Sequence, residues 1–226
     1  MYKKLFLRYL IFLVGLFLSG FGVAVTIFSG IGSTPMSVVP LVLSSVINLT
    51  FGQINFIWSL SFVFGQIILL GKGFTKDQYL QFLVCPLVGL FIDFGLFVFK
   101  DFLLTSYLEK VMVLLIGCAI LALGIYLQVM AKVIINPGEG IVKAIAYRAR
   151  IKFGNAKIYF DMGVLAIGVI LSLVFLGKVI GVGEGTLIIA LVTGSLIKMY
   201  RWLFEQLGLV RLYKWVSNWI IDSKIE

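Results

Sequence analysis

The sequence contains no histidine and only two cysteines among its 226 residues. Without histidine, imidazole proton relays and histidine-ligated metal or haem sites are excluded. The cysteines, Cys85 and Cys118, stand alone in apolar runs, which indicates small buried side chains rather than a disulfide framework. The chain also lacks a Walker-type phosphate-binding motif and any visible nucleophile–base pair. The sequence therefore predicts no metal, no cofactor and no enzymatic activity.

Charged residues are scarce as well. They make up 13% of the chain, against about 25% in typical soluble domains, whereas 61% of the residues are hydrophobic. A mean hydropathy of +1.12 excludes a soluble enzyme, a disordered tail and a DNA-binding module. In so apolar a chain, the excess of 19 basic over 10 acidic residues is typical of cytoplasmic membrane loops, not of a nucleic-acid site. We expect an integral membrane protein in contact with lipid.

Six apolar segments are long enough to cross a bilayer, which takes about 20 residues in a helix. They lie at residues 5–28, 54–70, 79–99, 111–131, 158–176 and 186–203. Two shorter segments, 33–49 and 137–152, are predicted to be re-entrant or interfacial helices. The second of these carries five charges that a lipid-facing helix would not tolerate. The predicted fold is all-α, with one transmembrane domain over residues 1–205.

The distribution of basic residues predicts the orientation. With both termini in the cytoplasm, 16 Lys and Arg residues fall on the inner side and three on the outer side. The first apolar segment is long and lacks a convincing cleavage site, so we interpret it as a retained helix rather than a signal peptide. Residues 206–226 form a predicted cytoplasmic tail, in which 209–221 have the pattern of an amphipathic helix on the membrane surface. A partner-docking helix would have the same pattern.

An internal repeat emerges when the sequence is shifted by 102 residues. Glycines, a proline and a Phe-Gly pair then coincide: Gly15 with Gly117, Gly22 with Gly124, Pro35 with Pro137, and 51–52 with 153–154. The repeats run from about residue 8 to 100 and from about 110 to 205. Because each contains three spans, the second must cross the membrane in the opposite direction. Inverted repeats of this kind are typical of secondary transporters, whose broken helices meet near the midplane.

Residues 29–37 read Ser-Gly-Ile-Gly-Ser-Thr-Pro-Met-Ser, and their counterpart at 136–140 reads Asn-Pro-Gly-Glu-Gly. Pro35 suits the first turn of a helix, with Ser33 or Thr34 as its N-cap. A helix N-terminus at membrane depth presents free N–H groups that attract an anion or a polar carbonyl group. Alternatively, both segments are merely helix-breaking turns at the membrane surface. The predicted substrate-binding residues are Ser33, Thr34, Pro35, Ser37, Asn136, Pro137, Gly138, Glu139 and Thr186.

Four charged residues in or near the spans are candidates for ion coupling or gating. Asp93 lies well inside the third span, where an unpaired charge costs about 2.5–3.5 kcal/mol on insertion scales. Lys198 is its counterpart at an offset of 105, so the two could meet as a gate. Asp161 and Glu184 complete the set. The alternatives for Asp93 are a structural ion pair or a side chain that snorkels to the interface.

Several short motifs carry a family resemblance. They are Gly-Ile-Gly-Ser-Thr-Pro at 30–35, Gly-Gln-Ile at 52–54, Gly-Leu-Phe-Ile-Asp at 89–93, and Gly-Glu-Gly-Thr at 183–186 followed by Gly194. Over roughly residues 8–205 the chain resembles the YczE/YitT-type bacterial membrane proteins. The resemblance implies a small plasma-membrane protein of poorly defined function, often presumed to be a transporter. It supplies no established catalytic residue.

The predicted function is secondary transport of a small polar or anionic solute across the bacterial plasma membrane. One alternative is a non-transporting accessory protein that docks a cytoplasmic partner through the basic loop at 143–157 and the tail. Another is a substrate-capture subunit that borrows an ATPase from a second chain. A homodimer is compatible with each of these functions.

Overall fold

A computed structural model describes residues 2–207, and this part of the chain is helical with no β-strand. Turns of 3-10 helix at Gly71–Gly73 and Lys76–Leu80 link two of the helices. The predicted tail helix at 209–221 lies outside the described residues. The eight helices are α1 (Tyr2–Phe28), α2 (Pro35–Val46), α3 (Phe51–Leu70), α4 (Gln81–Phe99), α5 (Tyr107–Ala131), α6 (Pro137–Ala149), α7 (Phe153–Leu176) and α8 (Glu184–Gln206).

Six of these helices are long and apolar enough to span a membrane, which confirms a multi-pass membrane protein. Five of them begin earlier than hydropathy alone predicts. The helices α3 and α5 start three and four residues earlier because Thr50 and Ser106 cap them, each with a Gln or Glu side chain that bonds back to the cap. The helix α7 starts at Phe153 instead of residue 158. Polar residues at a helix start lower the local hydropathy without breaking the helix.

The two short helices, α2 and α6, both begin at a proline and pack inside the bundle. Each contacts α3 and α7. They are shorter than the predicted segments, since α2 ends at Val46 and α6 ends where Arg150 adopts a left-handed conformation. On α2, the side chains of Val38, Val39 and Val42 are buried, so this helix has an apolar protein environment over most of its length.

The core of the bundle is the pair formed by α1 and α5. A Cβ on Gly15 would collide with the backbone at Gly124 and Gln128, and a Cβ on Gly22 would collide with Leu121. Higher residue numbers on α1 therefore contact lower residue numbers on α5, so the two helices are antiparallel. Glycines allow this close approach because they remove the side chain from the contact.

The remaining helices pack around this pair. The helix α4 contacts α1 and α3, and α8 contacts α5 without a comparable contact to α7. We call the end of the bundle where α1, α4 and α7 begin and α3, α5 and α8 end the basic end. There the guanidinium of Arg8 donates hydrogen bonds to the carbonyls of Ala131 and Lys132, at 2.9 and 2.8 Å, and thereby caps α5.

Candidate functional site

A cavity of about 1340 Å³ lies in the middle of the bundle and extends to the basic end. The first turns of α2 and α6 both line it. They also touch each other, since a Cβ on Gly138 would lie 2.6 Å from the sulfur of Met36. The structure thus brings together seven of the nine predicted substrate-binding residues on the cavity wall, namely Thr34, Pro35, Ser37, Asn136, Pro137, Gly138 and Glu139.

The first turn of α6 is capped by the protein itself. The side-chain oxygen of Asn136 accepts a hydrogen bond from the backbone N–H of Gly138 at 3.2 Å, and its backbone carbonyl accepts one from Gly140. Glu139 places a carboxylate in this same turn, where the helix dipole favours negative charge. In α2, by contrast, the Thr34 hydroxyl bonds the Ser37 hydroxyl at 2.6 Å instead of capping the backbone.

An ion-paired triad forms one side of the cavity, and we call it the charged wall. The ammonium of Lys157 lies 2.8 Å from the carboxylate of Asp161 and 3.7 Å from that of Glu139. Two carboxylates therefore share one ammonium. Glu139 is the looser partner, and its side chain is 46% exposed, against 24% for Asp161.

One face of α3 also lines the cavity, and sequence reasoning missed it. Asn55, Trp58, Ser59 and Phe62 recur at helical spacing and point the same way. Asn55 is only 9% exposed, yet its amide forms no hydrogen bond with any residue between 2 and 207. Buried amides are normally satisfied, so this one has capacity for a ligand or an ordered water. The sequence signal was weak because each polar residue stands alone in an apolar span.

Eight of the polar residues that line the cavity form four pairs separated by 102 positions in the chain. Each member of every pair lines the cavity, and the first members are uncharged whereas three of the four second members are charged. The α3 face thus corresponds to the part of α7 that carries the charged wall. The pairs are Thr34 and Asn136, Ser37 and Glu139, Asn55 and Lys157, and Ser59 and Asp161.

Two glutamines that lie outside the cavity hold its wall in position. Gln66 and Gln81 are fully buried and exchange reciprocal amide hydrogen bonds of 2.9 and 3.1 Å. The Gln66 amide also donates to the carbonyl of Pro137 at 3.2 Å. This network fixes α3 and α4 to the first turn of α6, so the cavity wall is positioned by buried polar contacts.

Three predicted residues lie outside the cavity, in a contact that we call the loop gate. Here residues 31–33 meet residues 181–186 at the end opposite to the basic end. The backbone N–H and the hydroxyl of Ser33 both donate to the carbonyl of Gly181 at 3.0 Å, and Gly185 N–H donates to the Ile31 carbonyl. Thr186 packs against Gly32, and Glu184 borders a smaller pocket of about 440 Å³ beside the contact.

The structure also places Asp93 and Lys198 outside the cavity, and they form no ion pair with each other within residues 2–207. Asp93 instead holds the start of α3: its carboxylate accepts hydrogen bonds from the Gly52 N–H at 2.7 Å and the Thr50 hydroxyl at 2.5 Å. Lys198 is exposed, and a lysine has no acceptor for helix N–H groups.

Comparison with known proteins identifies the family of the chain. A family of unknown function, DUF6198, matches residues 6–201. The chain belongs to this family. This DUF6198 protein is similar to the uncharacterized protein YyaS of Bacillus subtilis (strain 168), with 28% identity over 204 residues that cover 88% of this chain and 95% of that protein. No solved structure matches it. These findings fit the expected uncharacterised membrane family but do not show membership of the YczE/YitT-type proteins.

Proposed function

We propose that this DUF6198 protein is a secondary transporter of a small polar solute, built from two inverted repeats around one shared cavity. The observation that carries the proposal is the set of four residue pairs, 102 positions apart, that line this cavity. A binding site on the axis between two inverted repeats must be lined by equivalent positions of both.

The interface between α1 and α5 supports the repeat. An antiparallel pair is what two equivalent helices form when their repeats cross the membrane in opposite directions. Contacts of this interface also exchange under the 102-residue shift: Gly15 with Gln128 and Gly22 with Leu121 correspond to Gly117 with Thr26 and Gly124 with Ser19.

A complementary change in residue size between the two halves also supports the proposed repeat. In the contact between α3 and α6, a Cβ on Gly140 would collide with the side chain of Gln66. The equivalent contact joins α7 and α2, where a Cβ on Gly168 would collide with Val38. In one contact the glycine lies on the short helix, and in the other it lies on the long helix. Each contact therefore pairs one large residue with one glycine.

The two ends of the bundle differ in a way that suits alternating access. The loop gate closes one end with backbone hydrogen bonds. The equivalent contact at the basic end would join residues 132–135 to the segment before α4. Among the described residues, no hydrogen bond connects these two segments. Both segments instead line the cavity. If both termini are cytoplasmic and the membrane is the bacterial plasma membrane, as we propose, the cavity is open to the cytoplasm and closed to the outside. A relation to the YczE/YitT-type proteins remains part of this proposal.

A reversible lock on the loop gate tests transport. Ile31 and Val182 lie on the two sides of the loop gate, are both partly exposed and border the same small pocket, so cysteines at these two positions lie within reach of a short bifunctional thiol reagent. We expect purified protein in liposomes to take up a member of a solute panel under a pH or sodium gradient. Cross-linking should stop that uptake, and reduction should restore it.

The two single-cysteine variants are the matched controls, and the reagent should leave their uptake unchanged. All variants need Cys85 and Cys118 replaced by alanine, because Cys85 also lines the cavity. Uptake that persists in the cross-linked double variant would contradict the proposal, as would the absence of gradient-dependent uptake across a broad panel.

A further inference from the structure

The charged wall and the aromatic residues beside it indicate which solutes the cavity accepts, an inference that rests on the proposed function. The sequence alone favours a polar or anionic solute because helix N-termini attract anions. In α6, however, the Asn136 side chain caps the Gly138 N–H and the Glu139 carboxylate occupies the first turn. An anionic ligand would meet a like charge there.

The charged wall has one negative charge in excess, since Glu139 and Asp161 share Lys157. The 2.8 Å contact commits the ammonium to Asp161, whereas the 3.7 Å contact with Glu139 is beyond hydrogen-bond distance. Glu139 is also about half exposed to the cavity. Its carboxylate is therefore the member of the charged wall most available to a second cation.

An aromatic surface adjoins the charged wall. Trp58 and Phe62 lie at 5.0 Å between ring centroids in an edge-on arrangement, and Phe62 contacts Phe160 of α7 at 5.5 Å. Both Trp58 and Phe62 line the cavity. Aromatic faces attract organic cations and cover their apolar parts, and tryptophan does so most strongly.

The amide of Asn55 is the independent sign of a ligand. It is nine-tenths buried, lines the same cavity, and has no hydrogen-bond partner among the described residues. An amide in this state can accept a hydrogen bond from an ammonium or bond a polar substituent of a ligand.

We propose that the cavity binds organic cations: molecules with a protonated amine and an apolar or aromatic body. The ammonium displaces Lys157 from Glu139 and bonds this carboxylate, while Asn55 supplies a polar contact. The body lies against Trp58 and Phe62. Lys157 thus acts as a tethered competitor that holds the site when no substrate is present.

Three probes of the same shape separate charge from apolar burial: phenethylammonium, phenylacetate and phenylethanol. Equilibrium dialysis against the purified full-length protein at neutral pH and constant ionic strength measures their binding. We expect the cation to bind at least about tenfold more tightly than the anion, with the neutral alcohol between them, because one pair of unlike charges in a partly solvated site has this order of effect.

Two variants then move affinity in opposite directions. Glu139→Gln should weaken phenethylammonium binding by about tenfold, and Lys157→Gln should strengthen it by a similar factor because it removes the competitor. Lys178→Gln is the matched control: it removes an exposed lysine that lies outside the cavity, and the change should stay below about twofold owing to screening. A structural role for the triad would instead weaken all three probes in both Glu139 and Lys157 variants.

Several results would overturn this assignment. They are equal or tighter binding of phenylacetate, no binding of any probe at millimolar concentration, no effect of Glu139→Gln, or weaker cation binding in Lys157→Gln. None of these would affect the gate-locking experiment, so failure of the cation assignment is distinguishable from failure of the transport proposal.

Discussion

Asp93 lends itself to a direct test, because sequence and structure assign it different roles. As an ion carrier, it would determine gradient coupling and contribute little to folding. As the cap of α3, it contributes to folding, and its replacement leaves coupling intact in the protein that folds. The variants Asp93→Asn and Asp93→Ala separate these two roles.

The expected loss of unfolding free energy follows from two hydrogen bonds. The Asp93 carboxylate accepts from the Gly52 N–H at 2.7 Å and from the Thr50 hydroxyl at 2.5 Å. Hydrogen bonds to charged groups contribute about 1.5–3 kcal/mol each, and a carboxylate at a helix N-terminus gains about 0.3–1 kcal/mol from the dipole. Asp93 is only half-buried, so water compensates part of the loss. We expect Asp93→Ala to lower the free energy of unfolding by about 2–4 kcal/mol and Asp93→Asn by about 1 kcal/mol.

Reversible unfolding in mixed micelles by titration with sodium dodecyl sulfate measures these changes. Asp101→Asn is the matched control, since that carboxylate is exposed and has only a 4.0 Å contact with Lys100; its effect should stay within about 0.5 kcal/mol. If Asp93→Asn unfolds like the wild type but has lost gradient-dependent uptake, the capping interpretation is wrong and Asp93 is the coupling residue.

Two further predictions concern packing. Gly22→Leu should destabilise the bundle by about 3 kcal/mol or more, because the new side chain meets the Leu121 backbone; Gly163→Leu, where a Cβ meets nothing within 4 Å, should have little effect in the same titration. Gln66→Leu should cost about 2–4 kcal/mol, because it leaves the buried amide of Gln81 without its partner. The double variant in which Gln81 is also leucine should cost less than the sum of the single changes, and strict additivity would argue against a shared network.

Most of the correct predictions from the sequence rest on hydropathy and on the positions of the prolines. Six spans follow from the length of the apolar runs, and Pro35 and Pro137 mark helix starts because proline lacks the N–H that a first turn leaves unbonded. These signals are local, so no tertiary information was needed. Both prolines line one cavity, an arrangement that the proposed repeat would explain.

The groups that each polar side chain contacts were not predictable in the same way. Asn55 and Ser59 are single polar residues in an apolar helix, and only the packing of α3 determines that they line a cavity. Asp93 was interpreted as a possible ion carrier because its partners, Thr50 and Gly52, lie more than 40 positions earlier in the chain. Ser33 was predicted to bind substrate or cap α2, whereas its hydrogen bonds to Gly181 place it in the loop gate.

The most direct test is whether one cavity residue can be reached from both sides of the membrane. A cysteine in place of Ser59, in protein without Cys85 and Cys118, would be exposed to a membrane-impermeant maleimide in right-side-out and inverted vesicles. We predict labelling from both sides, with labelling through the loop gate abolished by the lock between residues 31 and 182 and labelling through the basic end retained. Labelling from the basic end alone, under every gradient and with every solute, would contradict alternating access.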